Sequence, residues 1–381
     1  MNKNPVEILK ELIEFPTFQE EPDKIPDGMK ECSKFLINHL EALDFKVNVD
    51  ELLNVTAEKE FDGKDIFLIN THSDTVPPSP KWKDALNPKI KGKRLIGLGS
   101  SDAKPGIAAT ISSLYQLKDC RFGKLIVQFV NYEDNGIQYG GRTWQGMPFY
   151  ISNHPNFKAD YGVNIEPNVK GDKFSYNLNC TGRVSFKVTT IGKEAHSSEP
   201  KKGKNSIYDM MKIIEALREI PSGEYRLDDL KAEMPIHVAE IHGGRKLTIV
   251  PAECTINCER RVLPGEDPDK IKQIISSALD KIKGVKLSLD FSPNVQKPYE
   301  ISKSEYVVKL VTDSFRQTLG YEPLLEINHG RTDSMYLYHM AGIKTVIIGP
   351  GQSGVCHRPD EYINMDRLKE FTRVITTLLS K

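Results

Sequence analysis

The sequence has no excess of either charge: 52 lysines and arginines stand against 52 aspartates and glutamates. A balanced chain offers no basic footprint to nucleic acid and no general attraction to an anionic membrane. No apolar run approaches the ~20 residues that a membrane span needs. The first residues, from Met1 to Glu7, lack the apolar core of a secretory signal. Cysteine is sparse and scattered, at Cys32, Cys120, Cys180, Cys254, Cys258 and Cys356, with no C-x-x-C pair. That argues for a reducing, cytoplasmic setting rather than a disulfide framework. Cys254 and Cys258 share a strand-like stretch, where both can face a core. Internal repeats and low-complexity tracts are missing too. What remains is a globular chain of 381 residues, 39% hydrophobic and 27% charged, long enough for two domains.

One stretch organises the rest. Ile66-Phe67-Leu68-Ile69-Asn70-Thr71 reads as a buried strand, and it runs into His72-Ser73-Asp74 before Pro77-Pro78 stops it. A His and an Asp two apart on extended backbone project to one side. The ends of strands are where open α/β sheets keep their chemistry. Taken alone, H-x-D is a weak signal.

Further strands end the same way. Leu125–Tyr132 runs into Glu133-Asp134, and Tyr161–Ile165 into Glu166-Pro167. The glycine-rich run Gly97-Leu98-Gly99-Ser100-Ser101 delivers Asp102 to the start of a helix over about 105–117. A bare aspartate at such a junction is a helix cap more often than a ligand. Adjacent carboxylates after a strand are usually a solvated turn, but can be a base beside a metal ligand. Four junctions each closing on a carboxylate or His would not be expected of independent turns.

The texture changes near residue 176. Val184–Ile191 alternates like a strand with one buried face, and the order strand, helix, strand, strand, helix, strand follows to Phe291. The expected fold is therefore α/β: a doubly wound catalytic domain (1–175 and 294–381) carrying an inserted α+β, ferredoxin-like domain (176–293).

The series of motifs resembles, in order and spacing, the co-catalytic zinc metallopeptidase and deacylase family. The motifs are H-x-D at 72–74, the run ending at Asp102, Glu133-Asp134, Glu166-Pro167, Ala195-His196-Ser197-Ser198, Arg261-Val262-Leu263-Pro264-Gly265, and Gly349-Pro350-Gly351 before His357. That family includes acetylornithine deacetylase, succinyl-diaminopimelate desuccinylase, aminoacylase and the glutamate carboxypeptidases. The resemblance implies that His72 and Glu166 bind one metal, Asp134 and His357 another, and that Asp102 bridges them. It implies Asp74 as the orienting partner of His72, Glu133 as general base, and His196 as the group steadying the tetrahedral oxyanion, typically from a neighbouring subunit. Two divalent ions are implied, zinc first, with cobalt or manganese fitting the same donors. A homodimer through the inserted domain, acting as its lid, is implied as well.

Arg261 and Arg331 are candidates to grip a substrate carboxylate; the plain alternative for each is a surface ion pair. Asn205 would serve substrate or cap its helix, and the cap is favoured. The other histidines considered, His154, His237, His242, His329 and His339, match no ligand position. Asp134 stands where the family more often has Glu, one methylene shorter. Pro105 suits a first helical turn, and Cys356 beside His357 reads as a buried neutral thiol. The expected activity is removal of an acyl group from an N-acyl amino acid. A dipeptidase or carboxypeptidase using the same ions is the alternative, with a non-catalytic binding protein behind it. The expected partner is a small N-acyl amino acid or short peptide.

Overall fold

A computed structural model describes residues 3–139 and 142–381. Met1 and Asn2, part of the N-terminus read above as lacking a signal, lie outside the described residues. The chain forms two compact units: one runs to Leu178 and resumes over 301–326 and 332–381, the other takes 179–300 and 327–331. The insert thus extends past Pro293, where the sequence texture reverts. Asn179–Cys180 pairs with Tyr299–Glu300, and Arg183 bridges to Gln296. Residues 327–331 join it because Asn179 and Thr181 bond to Asn328 and Gly330.

The first unit is built on a mixed sheet. At its centre lie four parallel strands in the order Lys124–Val130, Ile66–His72, Tyr161–Ile165 and Lys344–Ile348. Antiparallel strands flank them, Val55–Glu60 on one side and Lys173–Asn177 on the other. The central strands are buried on both faces because helices cover both. On one face, Leu68, Ile126 and Val130 pack with Met147, Tyr150 and Leu337 from the helices Gly146–Asn153 and Ser334–Ala341. On the other, Gly106 of the helix Lys104–Gln116 meets the side chains of Thr71 and Ile165. Leu68 and Thr71 differ by an odd number of residues, so they point to opposite faces.

A chain of buried polar groups crosses the first face. Gln128 donates to Thr56 (3.2 Å) and sits 3.4 Å from the Asn70 amide nitrogen; Asn164 donates to Asn70 (2.8 Å). Ser334 donates to Asn164 (3.2 Å) and Thr345 to Ser334 (2.8 Å). Several helices start on asparagine caps. Asn4, Asn205 and Asn364 each accept the N–H two residues on, a cap worth about 1 kcal/mol.

In the second unit, four antiparallel strands run in the order Ile236–Gly243, Glu253–Val262, Gly182–Ile191, Leu287–Phe291. The helices Ser206–Arg218 and Pro268–Asp280 cover one face, with Val184, Val188, Met210, Ile213, Ile256 and Ile275 in the core. Cys254 and Cys258 are both buried in that core. A hairpin, Gly223–Leu227 with Leu230–Met234, has no counterpart in the sequence reading. Its strands alternate apolar and charged residues, with Tyr225, Leu227, Leu230, Ala232 and Met234 on one face, and its turn rests on Asp228 in the left-handed region.

Candidate metal centre

The four parallel strands end together, and the candidate residues lie at or just beyond those ends. His72 closes its own strand and sits in register with Val130. Past Val130, Tyr132 adopts a left-handed conformation (φ 62°), a costly state for a non-glycine residue. The turn aims the next two main-chain N–H groups at Asp74. Oδ1 of Asp74 accepts from Glu133 (3.1 Å) and Oδ2 from Asp134 (3.2 Å). Glu166 follows Ile165, and its N–H donates to the Ile348 carbonyl (2.9 Å). Gly349 then passes so close to Glu166 that a Cβ there would overlap the Glu166 carbonyl; one on Gly351 would overlap that of Ser101. Only glycine lets this segment run between the two and deliver His357, itself left-handed at φ 60°.

The side chains converge. His72 Nε2 lies 3.1 Å from Asp102 Oδ1 and 3.7 Å from Glu166 Oε2. His357 Nε2 lies 3.3 Å from Asp102 Oδ2 and 3.2 Å from Asp134 Oδ1. Asp102 thus faces one histidine with each oxygen. Its helix begins at Lys104 with no side-chain cap, so the capping alternative is not what Asp102 does. On the far side of His72, Nδ1 faces the Asp74 carbonyl (3.0 Å) and carboxylate (3.3 Å). Two acceptors at Nδ1 place the ring proton there and turn the Nε2 lone pair toward Asp102 and Glu166.

The donor sets His72/Asp102/Glu166 and Asp102/Asp134/His357 each hold their ligand atoms within 4.8 Å of one another. A third grouping, His72/Asp74/Asp134, meets the same test, but both Asp74 oxygens already accept main-chain N–H groups. Asp134 Oδ2 and Glu166 Oε1 are buried with no hydrogen-bond partner, a costly arrangement unless a cation is bound there. Imidazole with carboxylate, in two sets sharing one carboxylate, fits two divalent ions of the zinc type. The shorter Asp134 still reaches its histidine.

Electrostatics agree. Burial pushes the Asp134 and Glu166 carboxyls up. Burial also opposes ionisation of Asp102, but hydrogen bonds to His357 and His72 outweigh it and hold that carboxyl below the usual range. Burial would lower His72, yet Asp102, Asp74 and Glu166 raise it. Hydrogen bonds to Asp102 and Asp134 push His357 up to about 11. Carboxylates this close require positive charge. Divalent cations would provide it with the imidazoles neutral.

The remaining candidates lie in the second unit. His196 is exposed, with Nδ1 accepting the Ser198 N–H (3.2 Å) beside the Ser198 hydroxyl (2.8 Å). Asn205 spends its side-chain oxygen on the Ile207 N–H (2.9 Å), the cap favoured above. Arg261 Nε pairs with Glu259 (3.2 Å) across one strand face. Arg331, read with the catalytic domain, falls in the 327–331 segment of this unit and is half-buried.

The sequence reading missed Glu361. It is buried, and its carboxylate accepts main-chain N–H groups of the loop carrying Asp102. Burial pushes this carboxyl up to about 7. Its position in the run after His357 was the available signal. Lys104 was missed too: fully buried, it donates to the carbonyls of Leu12 (2.8 Å) and Phe15 (3.0 Å) at the end of the first helix. Cys356 is partly exposed, and burial of the thiol raises its pKa well above the ordinary value.

A profile of peptidase family M20/M25/M40 matches residues 68–381. An acetylornithine deacetylase of Buchnera aphidicola subsp. Schizaphis graminum is 25% identical over 98% of this chain and 97% of its own. One from Vibrio parahaemolyticus is 23% identical over 96% and 93%. Among solved structures, an M20 family metallo-carboxypeptidase from Sulfolobus solfataricus superposes with a TM-score of 0.80, at 20% identity over 99% of both chains. A tripeptidase from Staphylococcus aureus gives 0.78, at 21% identity over 100% of this chain and 98% of its own. The match to the family profile takes in the converging ligand set and the whole inserted unit, and the chain therefore belongs to peptidase family M20/M25/M40, as a metal-dependent hydrolase of amide or peptide bonds.

Proposed function

We propose that this chain hydrolyses the amide bond of an N-acyl amino acid, in the manner of an acetylornithine deacetylase or a succinyl-diaminopimelate desuccinylase. The observation that carries the proposal is the shared Asp102 between two histidines, with Glu133 anchored by its main chain beside the same ligands. His72 and Glu166 would hold one divalent cation, Asp134 and His357 the other, with Asp102 common to both; zinc fits best, and cobalt or manganese fit the same donors. When bound, such a pair polarises the amide carbonyl and makes a water acidic enough to lose a proton near neutral pH.

Glu133 belongs to none of the ligand groupings found among the described residues. Its main chain is fixed from two sides, by Asp74 and by the Gln145 amide on its carbonyl (3.0 Å). In this reading it takes the proton of the attacking water and returns one to the leaving amine. His196 would donate to the developing oxyanion from a neighbouring subunit. The Ser198 N–H on Nδ1 suits that role, because it leaves the proton on Nε2. Arg261 or Arg331 would bind the substrate carboxylate. We place the enzyme in the cytoplasm, as a homodimer through the inserted unit.

Glu133→Gln tests the reading. Turnover should fall about 10²–10⁴-fold while bound metal is unchanged. Undiminished turnover would remove the mechanism. A panel of N-acetyl and N-succinyl amino acids beside dipeptides and tripeptides decides between deacylase and peptidase; a chain that turned over only the peptides would refute the deacylase assignment.

A further inference from the structure

Glu361 joins two segments that are distant in the chain. Its Oε1 accepts the N–H groups of Ser101 (2.8 Å) and Asp102 (2.9 Å), and its Oε2 that of Gly99 (3.2 Å). Its carbonyl accepts from the Gly97 N–H (3.1 Å) and the Ser100 hydroxyl (2.9 Å). From Gly97 to Asp102, each residue but Leu98 donates to this one glutamate.

The loop needs such an acceptor. It is neither strand nor helix, so its N–H groups have no ladder partners, and buried donors must be met. Asp102 cannot meet them itself, because its carboxylate faces the two histidines. A carboxylate taking several N–H groups fixes both position and direction, since each charge-assisted bond is short and oriented. Glu361 also sits on the segment that carries His357. The loop bearing Asp102 and the segment bearing His357 are therefore tied through this carboxylate, and more lightly through the Ser101 hydroxyl, which donates to the Gln352 carbonyl (3.0 Å).

We propose that Glu361 is a positioning residue of the metal centre: by holding the Asp102 main chain it aims the shared carboxylate between His72 and His357. This rests on the metal reading above. Losing the carboxylate leaves the Ser101 side-chain contacts and the Glu361 carbonyl between the two segments and loosens Asp102 relative to His357, so the cation set that contains both, Asp102/Asp134/His357, is the one that weakens.

The test titrates metal-free wild type, Glu361→Gln and Glu361→Asp with Co²⁺, following visible absorption, with circular dichroism and thermal melts of the metal-free proteins alongside. Glutamine keeps the shape but turns an amide N–H₂ toward donors; aspartate keeps the charge but withdraws it. Both variants should fold. In both, the weaker Co²⁺ should bind at least about tenfold more weakly, with an altered absorption envelope that a remote structural defect would not produce. Ser100→Ala removes a tie to the Glu361 carbonyl and none to the carboxylate, and should titrate as wild type. Wild-type affinities and spectra in both Glu361 variants would overturn the inference. So would failure of both to fold, or equal harm from Ser100→Ala, since either would make Glu361 a general brace. A wild type that takes up no Co²⁺ would overturn the metal reading itself and this inference with it, an outcome distinct from the others.

Discussion

Asp74 and Glu133 are joined through the main chain: the aspartate's Oδ1 accepts the glutamate's N–H at 3.1 Å, while Oδ2 accepts that of Asp134 at 3.2 Å. The same carboxylate stands 3.3 Å from His72 Nδ1. One side chain therefore sets the tautomer of a proposed ligand and the placement of both a proposed ligand and the proposed base.

Asp74→Asn should disturb all three. The amide retains one acceptor and directs an N–H₂ group at a donor. Metal affinity is expected to fall about 10–100-fold, as for other groups that orient ligands, and turnover with it. Competition against a chromogenic chelator measures the first, and unchanged affinity would mean that Asp74 is dispensable to the ligand set.

Asp134→Ala should cost one ion per chain and leave the set of His72, Asp102 and Glu166 able to hold the other. Elemental analysis after reconstitution reads the stoichiometry. Chelation should also lower the melting temperature, since ligand at a hundred times its dissociation constant adds about 2.7 kcal/mol to folding. Wild-type protein that melted identically with and without chelator, at every zinc concentration, would contradict this.

Gly349→Ala should destabilise the fold by about 1–3 kcal/mol, the usual cost of forcing atoms into filled space. The added methyl meets the Glu166 main chain rather than a yielding side chain. Denaturant melts of the metal-free protein provide the figure, and a change within error would show that the segment has room to shift.

His39 makes a prediction about pH. It is buried on the helix Asp27–Glu41, packed edge-on against Phe35 and 3.1 Å from the Tyr115 hydroxyl. Burial lowers its pKa from the ordinary 6.5. The unfolded chain then takes up the proton first, so this contribution is whole above pH ~6.5 and is lost as the pH falls toward the folded value. In chelator, His39→Gln should melt with a shallower decline than wild type between about pH 7 and 5. Parallel curves would assign the acid sensitivity elsewhere.

The sheet and the converging residues were legible because they rest on short-range signals. His72, Glu133-Asp134 and Glu166 each end an apolar run, and a parallel sheet gathers such ends at one edge. Asp102 was ambiguous on local grounds, since a capping aspartate and a ligand look alike until the partners across the fold are known. Glu361 had only its place after His357 to mark it, since the main-chain donors it meets lie some 260 positions away. The hairpin over 223–234 was legible but went unread: Tyr225, Leu227, Leu230, Ala232 and Met234 alternate with charged residues, though over strands only five residues long. Arg331 was assigned to the wrong neighbourhood because residues 327–331 return to the insert for only five positions, too few to alter the texture.

The file of amides and hydroxyls from Thr56 through Gln128, Asn70 and Asn164 to Thr345 has a bearing on how the strands find their alignment. In an all-aliphatic interior, sliding a strand by two residues swaps one greasy contact for another. Here such a slip strands an amide among hydrocarbon, at a cost of about 1–3 kcal/mol for each orphaned group. The polar file thus penalises offset pairings that an oily interior would tolerate, and the register it favours is the one in which the strand tips, and whatever they hold, come level.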